Sequence, residues 1–271
     1  MKVAMISDIH VDVNGSYDIV GSLVQCLKEQ KPQLLVLAGD ISGNIETTLS
    51  TVEAIESRSG VRVLFVPGNH DLWSEDFASA PTEEIYSRFC EDSHCLCGHP
   101  FTIGNTVVIG DIGWYDYSFG SSNYSRDEFS LMRNRGRVWQ DLLRNQWTAD
   151  NIARNDFFLH RLEKQMMMQQ RDKHFLMVTH MVPIREMTVP NNREDWGYFN
   201  AFLGSEELGI LYKRYPVRYA LFGHVHYRQS IDRDNIHWSC RCLGYHHEWR
   251  SSHGLSCLEQ IENALEFIEI G

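Results

Sequence analysis

Five times along this chain a short apolar run is followed at once by an oxygen or imidazole side chain. Val3 to Ile6 leads into Asp8-Ile9-His10, Leu34 to Ala38 into Gly39-Asp40, and Val61 to Val66 into Gly68-Asn69-His70-Asp71. Phe175 to Val178 leads into Thr179-His180, and Val217 to Phe222 into Gly223-His224-Val225-His226. Runs of this length with few charges read as strands buried on both faces. Helical stretches separate the early ones: Tyr17 to Gln30 sets Ile19, Val20, Leu23, Val24 and Leu27 on one face, and Ile45 to Ser57 follows the second run. Strand, helix, strand twice over implies right-handed crossovers and parallel pairing. In parallel sheets ligands gather outside the carboxyl ends of the strands, so all five clusters are expected at one edge.

The same grammar returns late in the chain, with helical stretches at Asn151 to Arg171 and Glu206 to Arg214 ahead of the fourth and fifth runs. Val225 to Ile231, Ile236 to Trp238 and Leu265 to Ile270 then read as antiparallel strands, the first two separated by Asp232-Arg233-Asp234-Asn235, which has turn chemistry. The Met166-Met167-Met168 run is expected in the core. Residues 72–150 differ: they are rich in aromatics (Trp73, Phe77, Trp114, Tyr115, Tyr117, Phe119, Tyr124, Trp139) and carry one clear strand, Thr106 to Gly110. They read as an insertion of loops and short helices over one end of the sheet. With no repeat and no Pro/Gly-rich linker, residues 1–271 are expected to form a single domain of the α/β (α+β) class.

Charge and cysteine content narrow the function. The chain has 25 Lys+Arg against 36 Asp+Glu, a formal net charge of −11, which argues against long nucleic acid or an anionic membrane as the main partner. No apolar run approaches the eighteen or so residues that cross a bilayer. The start, MKVAMISDIHV, is interrupted by Asp8 and His10 before a signal-peptide core forms. Seven cysteines without framework spacing suit a reducing compartment, so the expected location is cytoplasmic. Cys95 and Cys97 lie between His94 and His99, but that spacing does not match zinc-ligand pairs, and a hydrophobic strand or turn is the better reading.

Asp8, His10, Asp40, Asn69, His180, His224 and His226 offer carboxylate, amide oxygen and imidazole, a donor set suited to Mn, Fe or Zn. Seven donors are too many for one tetrahedral ion and about right for two. Alternation in Asp8-x-His10 and His224-x-His226 would turn each pair to one side of an extended strand end. The glycines before Asp40, Asn69 and His224 would let the backbone pass close to the ions. Each cluster alone is weak, since Gly-Asp is usually a turn and Thr-His usually a satisfied histidine. The bland reading would have to hold five times independently.

Together the five segments resemble the signature of the calcineurin-like metallophosphoesterases, and no signature residue is missing. The resemblance covers roughly residues 1–72 and 172–230 and implies a four-layer αββα sandwich with mixed β-sheets. It implies two divalent metal ions, one held by Asp8, His10 and His226, the other by Asn69, His180 and His224, with Asp40 bridging them. A hydroxide between two such ions would attack phosphorus. His70, not itself a ligand in the family, would protonate the leaving oxygen or hold the phosphate. Asp71 either orients His70 or caps a turn. Relatives often carry an Asn-Pro-Gly-like segment where this chain has Arg241-Cys242-Leu243-Gly244.

Substrate selection is expected in the insertion and in the loop after the last histidine pair, where Gly244-Tyr245-His246-His247 comes one hairpin after His226. Trp114 and Tyr115 would stack on a flat leaving group or simply pack, and Arg133, with Arg135 and Arg137, would reach phosphate oxygens or form a solvated face. The expected activity is hydrolysis of a phosphate ester, a small molecule or nucleotide, with a phosphodiester ahead of a phosphomonoester. The competing readings are a protein or nucleotide phosphatase, a non-catalytic metal-binding scaffold, and a single structural ion. Oligomeric state is left open.

Overall fold

A computed structural model describes residues 1–73, 80–170, 172–252 and 254–271; Phe77 of the aromatic stretch lies outside them. In chain order the elements are β1 (Lys2–Ile6), α1 (Ile19–Gln30), β2 (Leu34–Ala38), α2 (Ile45–Ser59), β3 (Arg62–Val66), α3 (Thr82–Cys90), β4 (Phe101–Ile103) and β5 (Thr106–Gly110). The insertion continues with α4 (Arg126–Ser130), β6 (Arg133–Asn134), β7 (Arg137–Val138) and α5 (Asp141–Arg144). Then come α6 (Asn151–Met167), β8 (His174–Val178), α7 (Trp196–Phe199), α8 (Glu206–Lys213), β9 (Val217–Phe222), β10 (Arg228–Arg233), β11 (Ile236–Arg241), α9 (Cys257–Ala264) and β12 (Glu266–Glu269).

One sheet has the order β12-β1-β2-β3, with β1, β2 and β3 parallel and β12 antiparallel to β1. The other runs β10-β11-β9-β8-β5-β4, its four inner strands parallel and its edges β4 and β10 antiparallel. On the first sheet's side α1 packs against α2 and α9; on the second's, α6 packs against β5 and α8. This is the four-layer sandwich. β2 is buried at all five positions and β5 likewise, which is why both read as unbroken apolar runs. Helix starts follow local chemistry: the Asn44 side chain accepts from Thr47 N–H to open α2, and Asp150 from Ala153 N–H to open α6.

Three details depart from the sequence reading. The last strands are not one antiparallel set: β10 and β11 form a hairpin, but β11 is parallel to β9, and β12 crosses to the other sheet. The hairpin turns on Asp234 and Asn235, both left-handed with φ of 55° and 59°, the geometry that suits the twist of paired strands. Of the three methionines only Met166 is in the core; Met167 and Met168 are exposed, because α6 turns them to its outer face.

The sheets are joined at two edges. Beside the five clusters, Ser7 N–H donates to the Arg241 carbonyl and Leu243 N–H to the Ser7 carbonyl, both at 2.9 Å. At the far edge, residues 94–97 bridge β3 to β5 through the pairs Phe65–Cys95 and Cys97–Gly110. Cys95, Leu96 and Cys97 are buried there, and all seven cysteines are free.

Candidate metal centre

The loops after β1, β2, β3, β8 and β9 converge at one edge of the sandwich. Two groups of donors have ligand atoms within 4.8 Å of one another: Asp8, His10, Asp40 and His226, and Asp40, His180 and His224. Asp40 belongs to both. Its Oδ1 lies 3.4 Å from His180 Nε2 and its Oδ2 3.6 Å from His10 Nε2. Asn69 joins the second group, with Oδ1 3.0 Å from His180 Nε2. All seven expected donors are therefore brought together.

The backbone that achieves this is not the extended strand end expected from alternation. Asp8, His10, Asp40, His224 and His226 all have positive φ, between 39° and 70°, a region costly for residues with a Cβ. Each loop coils tightly, tied to its neighbour by Asp8 N–H to the Gly39 carbonyl and His10 N–H to the Asp40 carbonyl, both at 3.0 Å. Close approach also explains two glycines. A Cβ at Gly223 would overlap the Asp8 carboxylate and the Ser7 hydroxyl, and one at Gly68 would overlap the Asp40 carboxylate.

Three of the four donor imidazoles have their outer nitrogens tied down, which aims the inner ones, while Nδ1 of His10 is buried without a partner. His226 Nδ1 meets Glu248 Oε2 at 2.6 Å, His180 Nδ1 the Ala38 carbonyl at 2.9 Å, and His224 Nε2 the Phe202 carbonyl at 3.1 Å. The inner nitrogens crowd together: His10 Nε2 to His226 Nε2 is 3.3 Å, and His180 Nε2 to His224 Nδ1 is 3.1 Å. Burial works to raise Asp8 and Asp40, but the surrounding histidines outweigh it and hold both below the usual carboxylate range. Burial likewise works to lower His180 and His226, yet Asp40 lifts the first to about 9, and Asp8 with Glu248 lifts the second to about 10. Seven hard or borderline donors, two carboxylates among them and one shared between both groups, fit two divalent ions.

His70 stands over this cluster. Its ring stacks on Trp73 with centroids 3.5 Å apart, its backbone N–H donates to Asp40 Oδ1 at 2.9 Å, and the Tyr245 hydroxyl is 3.4 Å from its Nε2. Burial, opposed by Asp40 and reinforced by neighbouring histidines, pushes its imidazole down to about 3. Of the two readings of Asp71, orienting His70 or capping a turn, its contacts match the second. Its carboxylate accepts from the backbone N–H groups of Ile41 (3.1 Å), Ser42 (3.0 Å) and Gly68 (2.7 Å) and from the Thr48 hydroxyl (2.6 Å), bracing the loops after β2 and β3.

A cavity of about 470 Å³ opens over the cluster, walled by Trp139, Trp196 and Phe199 and bordered by Arg137 and Arg193. The expected substrate residues are elsewhere. Trp114 and Tyr115 are fully buried; the Trp114 indole donates to Asn151 Oδ1 and the Tyr115 hydroxyl to Asp141 Oδ2, so both are core and neither presents a face to a ligand. Arg133 is exposed on β6 and does not border the cavity. The adjoining strand β7 reaches it, through Arg137 and Val138.

The sequence assigns no role to Trp73, Asp141 and Glu248 beside the donors, nor to Arg193, Trp196 and Phe199 in the cavity wall. Trp73 stands three residues past His70, and Glu248 closes Tyr245-His246-His247-Glu248, so both had a neighbouring motif as a signal. Asp141, from the middle of the insertion, had none.

A model of the calcineurin-like phosphoesterase family matches residues 1–228. The chain is 24% identical over 278 residues to the [acyl-carrier-protein] phosphodiesterase PptH of Mycobacterium tuberculosis, a match covering 94% of this chain and 82% of that one. Among solved structures it resembles the phosphopantetheinyl hydrolase PptH of M. tuberculosis, with TM-score 0.78 and 18% identity over 98% of this chain and 95% of the other. A dimetal phosphatase from Danio rerio shares the fold at TM-score 0.55 and 16% identity, covering 89% and 86% of the two chains. The chain therefore belongs to the calcineurin-like phosphoesterases, hydrolases of phosphate esters that work with two divalent metal ions.

Proposed function

We propose that this chain is a phosphodiesterase that releases a phosphopantetheinyl group from an acyl-carrier protein. The observation that carries the reading is the pair of donor groups sharing Asp40 on the floor of a cavity of about 470 Å³. That volume lies within the roughly 300–1,000 Å³ usual for small-molecule sites. It suits a slender organic arm with the carrier left outside, and the similarity to PptH spans 94% of the chain. In this reading the whole chain acts as one unit, with residues 72–150 supplying much of the cavity wall.

Asp8, His10 and His226 would hold one ion and Asn69, His180 and His224 the other, with Asp40 shared by both donor groups. Such ions would supply Lewis acidity toward the phosphoryl oxygens and a water of lowered pKa as nucleophile. The donors are oxygen and imidazole without thiolate, which suits Mn²⁺, Fe²⁺ or Zn²⁺. His70 and the Tyr245 hydroxyl, 3.4 Å apart, face the place where a phosphoryl oxygen or the leaving oxygen would sit. They hold it by hydrogen bonding, His70 as a neutral imidazole and Tyr245 through its hydroxyl. Arg137 and Arg193 bind anionic oxygens further out, and Trp139, Trp196 and Phe199 exclude water from the organic arm. We take the cytoplasm as the location on the strength of the seven unpaired cysteines.

The test is incubation with a phosphopantetheinylated acyl-carrier protein and Mn²⁺, read by intact mass, beside bis-p-nitrophenyl phosphate and p-nitrophenyl phosphate. Metal-dependent loss of the phosphopantetheinyl group is expected, with the diester favoured over the monoester. Diester turnover with an untouched carrier protein would discard the carrier substrate and keep the phosphodiesterase. Preference for the monoester would move the chain to the phosphatases.

A further inference from the structure

Asp141 is almost fully buried, with 3% of its surface exposed, and it collects five hydrogen bonds from five residues. Oδ1 accepts from Asn69 Nδ2 at 2.8 Å, Trp73 Nε1 at 3.0 Å and Asn145 Nδ2 at 3.0 Å. Oδ2 accepts from Trp139 Nε1 at 2.9 Å and the Tyr115 hydroxyl at 3.3 Å. An ionised carboxylate has lone pairs and no proton, so each group turned toward it must donate. Asn69 is the one member whose orientation matters for chemistry. Its amide has an oxygen end and an NH₂ end, and only the oxygen end is a metal donor.

We propose that Asp141 is the positioning residue that fixes the Asn69 amide with its oxygen toward the second ion. The NH₂ group is drawn to Asp141 Oδ1, which leaves Oδ1 of Asn69 facing His180 Nε2 at 3.0 Å. The same carboxylate sets two indoles that flank the site. Trp73 stacks on His70, and Trp139 meets the ring of His224 edge-on with centroids 5.6 Å apart. The insertion is thus tied to Asn69 through the Asp141 carboxylate, with Asn145 Nδ2 also reaching the Asn69 carbonyl at 3.5 Å. The inference rests on the assignment of Asn69 as a ligand of the second ion.

The test is Mn²⁺ binding to the full chain by calorimetry, with the bound ions counted after gel filtration. Wild type is expected to bind two Mn²⁺, and Asp141→Asn, which puts an NH₂ group among donors, is expected to weaken the second site about 10–100-fold. A double-mutant cycle separates positioning from general damage. In an Asn69→Ala background, where no amide is left to orient, Asp141→Asn should cost the second site nothing more. Wild-type affinity in Asp141→Asn, or an undiminished loss in the Asn69→Ala background, would overturn the proposal. Should Asp141→Asn fail to give a wild-type circular dichroism spectrum, Asn145→Ala removes one donor from the same oxygen and enters the same cycle. A smaller weakening, again absent without Asn69, is expected, and no weakening would overturn the proposal. Failure of the wild type to bind two Mn²⁺ would instead overturn the ligand assignment itself.

Discussion

His226 turns Nδ1 to the Glu248 carboxylate at 2.6 Å and keeps Nε2 for the metal site, 3.3 Å from Asp8 Oδ1. Glu248 is itself held, accepting from Tyr245 N–H at 3.0 Å. A carboxylate behind a ligating imidazole fixes its tautomer and raises its basicity. Glu248→Gln is expected to weaken the first ion by roughly 10–100-fold, read by titration with Mn²⁺. An unchanged affinity would show that His226 keeps its orientation without help.

His70 is held by Trp73 and by its own backbone bond to Asp40, not by the ions. His70→Ala should therefore keep both ions while turnover of bis-p-nitrophenyl phosphate falls roughly 10²–10³-fold, the usual worth of one hydrogen-bond donor aimed at developing charge. An unchanged rate would remove it from the mechanism.

Asp40→Ala should lose ions and activity together, since its two oxygens serve both donor groups. Metal content by mass spectrometry checks this. Two ions retained in the variant would overturn the bridging role.

Glu266, on β12, joins the sheets away from the site. It accepts from His237 Nε2 at 3.1 Å and from Arg241 at 3.0 and 3.2 Å, both on β11. Burial works to raise its pKa, but His237, Arg241 and Ser239 hold it at about 2, while Glu266 in turn raises His237. The depressed carboxylate stabilises the fold above its unfolded value of 4.5, and this contribution is lost as pH falls toward 2. The raised imidazole stabilises below its unfolded value of 6.5, and this is lost as pH rises through the higher folded value. Glu266→Gln is expected to cost about 2 kcal/mol after allowance for partial solvent screening. In thermal melts the gap to wild type should be widest between pH 4.5 and 6.5 and should close in acid. A gap independent of pH would assign the loss to packing.

The sequence carried the strands and the seven donors because both are local: an apolar run is buried on both faces wherever its sheet ends up, and a donor at a strand's end inherits that edge. β12 changed sheets because its pairing with β1 is set by the whole chain, not by the nearby hairpin. Trp114 and Tyr115 were open to a binding reading because an aromatic in a loop is equally a core residue. Asp141, closing on Asn69 across 72 positions, has no short-range signature. The left-handed backbone at Asp8 and His10 was likewise hidden, since alternation of side chains in a sequence says nothing about the sign of φ.

Asp8, His10, Asp40, His224 and His226 all keep φ positive, a conformation that costs about 1–3 kcal/mol per residue. The net margin of a folded domain is typically about 5–15 kcal/mol, so strain of this size is a substantial opposing term within it. An ion that binds only the folded state adds about 2.7 kcal/mol at a hundredfold excess over its Kd. Metal supply would then set how much of the chain stays folded as well as how fast it turns over, and the midpoint of thermal melts should rise with added Mn²⁺.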